Sequence, residues 1–306
     1  MNFNKKNFLG VILLLLTTIS WGTSFIILKD TVETVSTFYI LAIRFTLSGL
    51  IIGLIFFKKI IKTPLKTMFC GIILGVILTV AYDVQTFGLI ETSPARNAFL
   101  TGFYCILTPF LAWFLIKNKP TTYNVLAAIL CIVGIGLVVF SNGSDGESYL
   151  LGDVLTLIAA VFYALQIIYI EKFQGEGQDT IQLLVFELLS VGVINIILSL
   201  IIDLPNGLSV YLLNFDQLAK IMYLTLICTL FAQFGMMFGQ KLTTCNQASL
   251  ILSLESVFGA LFSVILGGEV LTVGLIIGFA VIFLAMSVNE FKLDPFKLLI
   301  KKKADK

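Results

Sequence analysis

The stretch FLGVILLLLTTISWGTSFIIL occupies residues 8–28 and contains no aspartate, glutamate, lysine or arginine. A helix needs about 20 mainly apolar residues to cross the ~30 Å hydrocarbon core of a bilayer, and this stretch is long enough. It follows two lysines, as the apolar part of a secretory signal peptide would. It is too long for that role, and it ends in Trp-Gly-Thr rather than in a small-residue cleavage site. We therefore interpret it as a membrane-spanning helix.

Similar apolar runs recur along the whole chain. With the first they predict ten spans, at residues 8–28, 38–57, 67–89, 95–116, 122–141, 151–172, 180–203, 217–239, 246–266 and 271–291. The chain of 306 residues is 58% hydrophobic and 12% charged, with a mean hydropathy of +1.03. A soluble protein needs more polar side chains to cover its surface. The predicted fold class is therefore an all-α integral membrane protein.

Several chemical classes are excluded by residue content. The chain has no histidine, the commonest metal ligand, and no G-x-x-x-x-G-K motif for an ATPase of its own. The cysteines lie in or beside apolar stretches without metal-ligand spacing; they are Cys70, Cys105, Cys131, Cys228 and Cys245. A membrane enzyme would need carboxylates or histidines clustered at one face, which the sequence lacks. We expect no enzyme activity, no catalytic residues, no cofactor, no metal and no nucleic-acid partner.

The basic residues orient the spans, because lysine and arginine are enriched in cytoplasmic loops. With both termini inside, sixteen of the twenty basic residues lie on the cytoplasmic side. These are Lys5, Lys6, Lys58, Lys59, Lys62, Lys66, Lys117, Lys119, Lys172, Lys241 and six in the tail from Lys292 to Lys306. Lys29, Arg96 and Lys220 fall outside, and Arg44 lies within the second span. We predict a multi-pass protein of the cell membrane with both termini in the cytoplasm.

The two halves of the chain match each other at nearly constant offsets. Matched pairs are Gly10 with Gly152, Trp21 with Tyr163, Lys29 with Glu171, Arg44 with Glu187, Asp83 with Gln233 and Lys119 with Glu269. Because each repeat has five spans, an odd number, the second must enter the membrane from the opposite face. We predict a first five-helix repeat at 1–141, an inverted one at 142–291, and a basic cytoplasmic tail at 292–306. Inverted repeats are common in secondary transporters, although duplication could leave a repeat in any membrane protein.

Several short motifs follow one another in a specific order. They are SWGTSF at 20–25, RF at 44–45, QTFGLIETSPA at 85–95, FLTG at 99–102, Pro109, Ala248, LESVF at 254–258 and GGE at 267–269. In these the chain resembles the EamA-type family of the drug/metabolite transporter superfamily over nearly its whole length. The resemblance implies a basket of ten spans that exports amino acids or related metabolites without ATP. The chain departs from the pattern at Asn118-Lys119, where the family often has Gly-Glu, and at Ser256, where it often has a proline that kinks the helix.

Four ionisable residues, Arg44, Asp83, Glu187 and Glu255, stand out because they lie away from the ends of the predicted spans, where a charge costs roughly 2.5–3.5 kcal/mol on insertion scales. Arg44 and Asp83 both lie about six residues from the outer ends of their spans, which is ~9 Å at 1.5 Å per residue. We expect them to be partners, either as a structural clamp or as a pair that contacts substrate. By the repeat, Glu187 should lie as far from the inner face as Arg44 lies from the outer face. The two residues then differ in depth, so a direct Arg44–Glu187 pair is not expected.

Glu255 is the fourth, near the middle of the ninth span, with no basic residue at its depth. Such a carboxyl suits a group that takes up and releases protons, or one that binds a substrate ammonium. The alternative is a neutral glutamic acid that is hydrogen-bonded between helices.

Aromatic and amide side chains near the middle of the spans are candidates for a cavity wall. They are Trp21, Tyr82, Tyr104, Tyr163, Gln85, Asn97, Thr101, Gln166 and Gln233. Asn97, Thr101 and Tyr104 share one helix face, since they are four and three residues apart. Tryptophan and tyrosine also form belts at the membrane interface, so an interfacial role stays open.

These observations favour a secondary transporter whose central cavity opens alternately to the two faces of the membrane. Coupling to proton movement is one option for such a transporter. The alternative function is a non-transporting membrane subunit or a component of a flippase for lipid-linked substrates. G-x-x-x-G pairs at Gly49/Gly53, Gly71/Gly75, Gly235/Gly239 and Gly274/Gly278 could join helices within the chain or between two copies. The expected partners are a small-molecule substrate and the bilayer, in a monomer or a homodimer.

Overall fold

The computed structural model describes residues 5–117, 119–140, 149–207, 212–243 and 245–291. Its helices are α1 (Lys5–Val32), α2 (Thr37–Ile55), α3 (Phe57–Ile60), α4 (Leu65–Ile90), α5 (Pro94–Thr101), α6 (Tyr104–Ile116), α7 (Thr122–Val139), α8 (Leu150–Gly175), α9 (Thr180–Ile202), α10 (Phe215–Thr225), α11 (Ala232–Leu242), α12 (Cys245–Ser253), α13 (Glu255–Gly267) and α14 (Val273–Phe291). No strand occurs among the described residues.

Eight helical stretches are long and apolar enough to cross a membrane, and two shorter ones complete the set. The fourth span combines α5 with α6, and the eighth combines α10 with α11 through a π-helical segment, Leu226–Phe231. The shorter pair are Ile251–Gly267, within α12 and α13, and Val273–Val288, within α14. The prediction of an all-α membrane protein with ten spans is confirmed.

The helix packing has the pattern of two interlocked repeats. Three contacts join equivalent spans of the two halves: α2 with α9, α7 with α14, and α5 of the fourth span with α13 of the ninth. The other main contacts come in matched pairs. The third span, α4, packs on α8 and α9 of the second half. Its counterpart, the eighth span with α10 and α11, packs on α1 and α2 of the first half. Each half therefore buries its apolar faces against the other rather than against itself.

Ion pairs between the two halves occur at both ends of the bundle. We call one end the α8–α9 face, after the turn between these helices; there Lys59 pairs with Asp179 at 2.7 Å. Burial alone would raise the pKa of Asp179, but hydrogen bonds from Lys59 and from two backbone amides hold it below its ordinary value. On the opposite α4–α5 face, Lys220 at the start of the eighth span pairs with Asp30 beside the α1–α2 turn.

The paired glycines bring helices together within the chain. A Cβ added to Gly75 would lie 2.4 Å from Ser190 Cβ and 2.8 Å from the carbonyl oxygen of Glu187, both on α9. Gly49, Gly71, Gly235 and Gly239 meet other helices of the same chain at similar distances. Close backbone approach between these helices therefore requires glycine.

We expect Gly75→Ala to lower the unfolding temperature in detergent, because the new methyl group overpacks the α4–α9 contact at a cost of about 1–3 kcal/mol. Gly136→Ala is the matched control, since nothing lies within 4 Å of its Cβ position. Thermal unfolding followed by circular dichroism measures both. Equal unfolding temperatures for the two variants would contradict this packing.

Candidate functional site

A cavity lies between the two halves, near the middle of the bundle. Five aromatic residues line it: Trp21, Phe25, Tyr82, Tyr104 and Tyr163. The rest of the wall consists of Ser24, Gln85, Gln166, Glu255, Ile167, Met236 and Leu252. The cavity volume is about 30 Å³, which leaves room for water-sized contents in this conformation.

Two broken helices meet beside the cavity. The fourth span is interrupted between α5 and α6 at Gly102 and Phe103, and the ninth is interrupted at Leu254, immediately before Glu255. A Cβ on Gly102 would lie 2.2 Å from Ser256 Oγ, so the glycine lets the two breaks approach closely. The ninth span is thus interrupted one residue before Glu255, although Ser256 stands where the family often has a proline.

A chain of hydrogen bonds runs from the cavity wall into the first half. Tyr163 Oη donates to Gln85 Oε1 at 2.6 Å, and Gln85 Nε2 donates to Thr101 Oγ1 at 2.8 Å. Thr101 Oγ1 donates in turn to the carbonyl of Asn97, whose Nδ2 donates to Thr156 Oγ1. Tyr163 therefore lines the cavity, whereas Asn97 and Thr101 lie behind it and hold Gln85 in place.

Glu255 is the ionisable acid in the cavity wall. Only 4% of its surface is exposed, and the described part of the chain provides no ion pair to it within 4.0 Å. Tyr104 lies beside its carboxyl group, and the Tyr104 hydroxyl is buried without a hydrogen-bond partner in the described structure. A lone carboxyl facing a cavity is free to bind a proton or a cation there.

Arg44 and Asp83 do not form the predicted ion pair. Arg44 Nε donates to Thr229 Oγ1 at 3.0 Å, and the guanidinium carbon lies 5.5 Å from the centre of the Tyr82 ring. Thr229 belongs to the π-helical segment of the eighth span, and such segments are frequent at functional sites. Arg44 supports the cavity wall through Tyr82 and does not line the cavity itself.

The remaining predicted residues lie outside the wall. Asp83 is buried beside Asn195 on α9, with one carboxyl oxygen unpartnered. Gln233 Nε2 donates to Tyr82 Oη at 3.4 Å. Glu187 accepts from Gln166 Nε2 at 2.7 Å and forms no ion pair with Arg44, as expected from its depth.

Sequence reasoning missed a buried ion pair at the α4–α5 face. Arg96 on α5, predicted as an outer-loop residue, is fully buried and pairs with Asp153 on α8 through two of its nitrogens. Thr92 Oγ1 also donates to this carboxylate at 3.0 Å. One signal was present: Asp153 follows Gly152, the counterpart of Gly10, so it occupies the position that valine holds in the first half.

Glu269 fastens the same end of α5 to the end of α13. Its carboxylate accepts from Ser93 Oγ and from the backbone amide of Ala95. Lys29 lies nearby and donates to the last carbonyls of α4, at Leu89 and Ile90. At this face the two halves are therefore joined by charged and polar contacts.

Comparisons with known proteins agree with this architecture. A model of the EamA-like transporter family matches residues 8–140 and 150–289. An uncharacterized transporter of Archaeoglobus fulgidus is 26% identical over 280 residues, covering 91% of this chain and 85% of its own. The uncharacterized transporter YyaM of Bacillus subtilis (strain 168) is 29% identical over 205 residues, 64% of this chain and 67% of its own. One solved crystal structure with 16% sequence identity covers 92% of this chain with a TM-score of 0.68, a similarity of fold.

Proposed function

The chain belongs to the EamA-like transporter family, and from this premise we propose that it is a secondary transporter that carries a small metabolite through the central cavity by alternating access. The cavity between the two halves supports the proposal, because Tyr104 and Glu255 in its wall directly follow the breaks of two discontinuous helices. Transporters with inverted repeats bind substrate near the membrane midplane at such breaks.

We further propose export of amino acids or related small metabolites, from a cell membrane in which both termini are cytoplasmic. Trp21, Tyr104, Tyr163 and Glu255 contact the substrate in this proposal, whereas Arg44, Asp83, Asn97, Thr101 and Gln233 support the wall. Two five-helix domains at 1–141 and 142–291 rock against each other, with residues 292–306 as a tail. Family membership fits a protein that is not an enzyme.

Proton coupling is assigned to Glu255 in this proposal. Tyr82, Tyr104 and Tyr163 are the titratable groups that face it across the cavity, and no described lysine or arginine lines the wall with it. A proton on Glu255 would neutralise the wall, and its release would restore an anionic site for an ammonium group. Proton and substrate would then compete for one carboxyl group. The protein would therefore carry protons and substrate across the membrane in opposite directions.

The alternative is a subunit or flippase component for lipid-linked substrates. A cleft between α2 and α9 does open towards lipid, but it presents apolar surface from residues such as Ile43, Leu47 and Leu200. A lipid headgroup needs polar partners along its path. The polar cavity therefore favours a water-soluble substrate.

The experiment is uptake of a mixed pool of amino acids and metabolites into liposomes that hold only the purified protein, with and without an imposed pH gradient. We expect gradient-dependent accumulation of at least one compound. Protein-free liposomes are the control for leakage. If no compound accumulates in either condition, the transporter proposal fails, and the result supports the alternative of an accessory subunit.

A further inference from the structure

Many hydrogen-bond donors in the cavity wall are engaged by the protein. Five side chains that line the cavity donate to protein acceptors: Trp21, Ser24, Gln85, Tyr163 and Gln166. The donors that remain are neutral: the hydroxyls of Tyr82 and Tyr104, and the second amide hydrogens of Gln85 and Gln166. No described lysine or arginine lines the wall, so a substrate carboxylate would find no cationic partner there.

Two side chains in the same wall offer acceptors that no described cation neutralises. Glu255 has no ion pair, and Gln166 Oε1 is buried without a partner among the described residues. The faces of Tyr82, Tyr104 and Tyr163 add the negative π-surface that attracts cations. The nearest arginine, Arg44, lies against the ring of Tyr82 and is not part of the lining.

We propose that the cavity selects organic monocations, compounds with one ammonium group and no carboxylate. The inference rests on the proposed transport function and narrows its substrate class. An ammonium group would pair with Glu255 and pack against the aromatic rings. The carboxylate of an amino acid would be buried without a cationic partner, which disfavours zwitterions of the same size.

Pairs of related ligands with and without a carboxylate test the inference by binding. The chain has two tryptophans, and Trp21 lines the cavity while Trp113 is 42% exposed. In a Trp113→Phe background, Trp21 fluorescence reports binding directly. The probes are isoamylamine against leucine, and choline against glycine betaine, with isoamyl alcohol as the uncharged control.

We expect isoamylamine and choline to bind roughly tenfold or more tightly than leucine and glycine betaine. Glu255→Gln should weaken amine binding by a similar factor, whereas Glu255→Asp, which keeps the charge, should retain part of it. Glu171→Gln is the control, because Glu171 is exposed at the end of α8. The comparison between ligands needs only the Trp113→Phe protein to fold, and Trp113 is exposed.

Equal or tighter binding of leucine or glycine betaine would overturn the inference, and so would a failure of both isoamylamine and choline to bind. Uptake in the liposome experiment distinguishes failure of this inference from failure of the transporter proposal. Accumulation of zwitterions or anions there would leave a transporter with a different substrate class. Absence of all accumulation would remove both proposals.

Discussion

Glu255→Gln is expected to reduce accumulation driven by a pH gradient to the level of protein-free liposomes. Glutamine has nearly the shape of glutamic acid, so the contacts of the break between α12 and α13 are retained. It cannot bind and release a proton, and it offers no charge to an ammonium group. The measurement is the initial rate of uptake of the identified substrate, taken across a range of external pH.

The rate and the pH profile together separate the coupling role from a structural one. A neutral glutamic acid that only joins helices would give Glu255→Gln the wild-type rate and an unchanged pH profile, and that result would falsify the coupling role. Glu171→Gln should behave as the wild type, because that carboxylate lies outside the cavity. Unfolding temperatures of both variants show whether a lost rate reflects lost structure.

The spans and the place of Glu255 within its span could be predicted from the sequence, because both follow from counting residues along a helix that crosses the membrane. Apolar length gives the span, and residue count gives the depth of a side chain. The break at Leu254 was harder, because no proline marks it. The close contact of Gly102 with Ser256 stabilises the break, and this contact is made only after the two halves pack.

The Arg44–Asp83 pair shows what depth alone omits. The predicted pair rested on equal depth, but partnership also requires that the two helices turn the side chains towards each other. In the eighth span the π-helical segment shifts the register, so that Thr229 Oγ1 bonds to the carbonyl of Leu224 and accepts from Arg44. A one-residue insertion of this kind has no clear sequence signature.

The Arg96–Asp153 pair is the site of the second large expected effect, on stability rather than on transport. Both side chains are fully buried, and the guanidinium of Arg96 also lies 5.1 Å from the ring centre of Tyr149. Asp153→Ala leaves a buried guanidinium without its anion. We expect it to lower the free energy of unfolding by about 3–5 kcal/mol, the usual cost of stranding one member of a buried pair.

Replacing both partners should cost less than replacing one. In Arg96→Met/Asp153→Leu no buried charge is stranded, and apolar side chains of similar volume fill the space between α5 and α8, so the loss should be small or absent. Denaturant or thermal unfolding in detergent measures the single variants and the double variant as a cycle. Lys220→Met is the matched control, because its pair with Asp30 is solvent-exposed and should contribute little. If the double variant is as unstable as the sum of the single ones, the two residues act independently and the pair does not join α5 to α8.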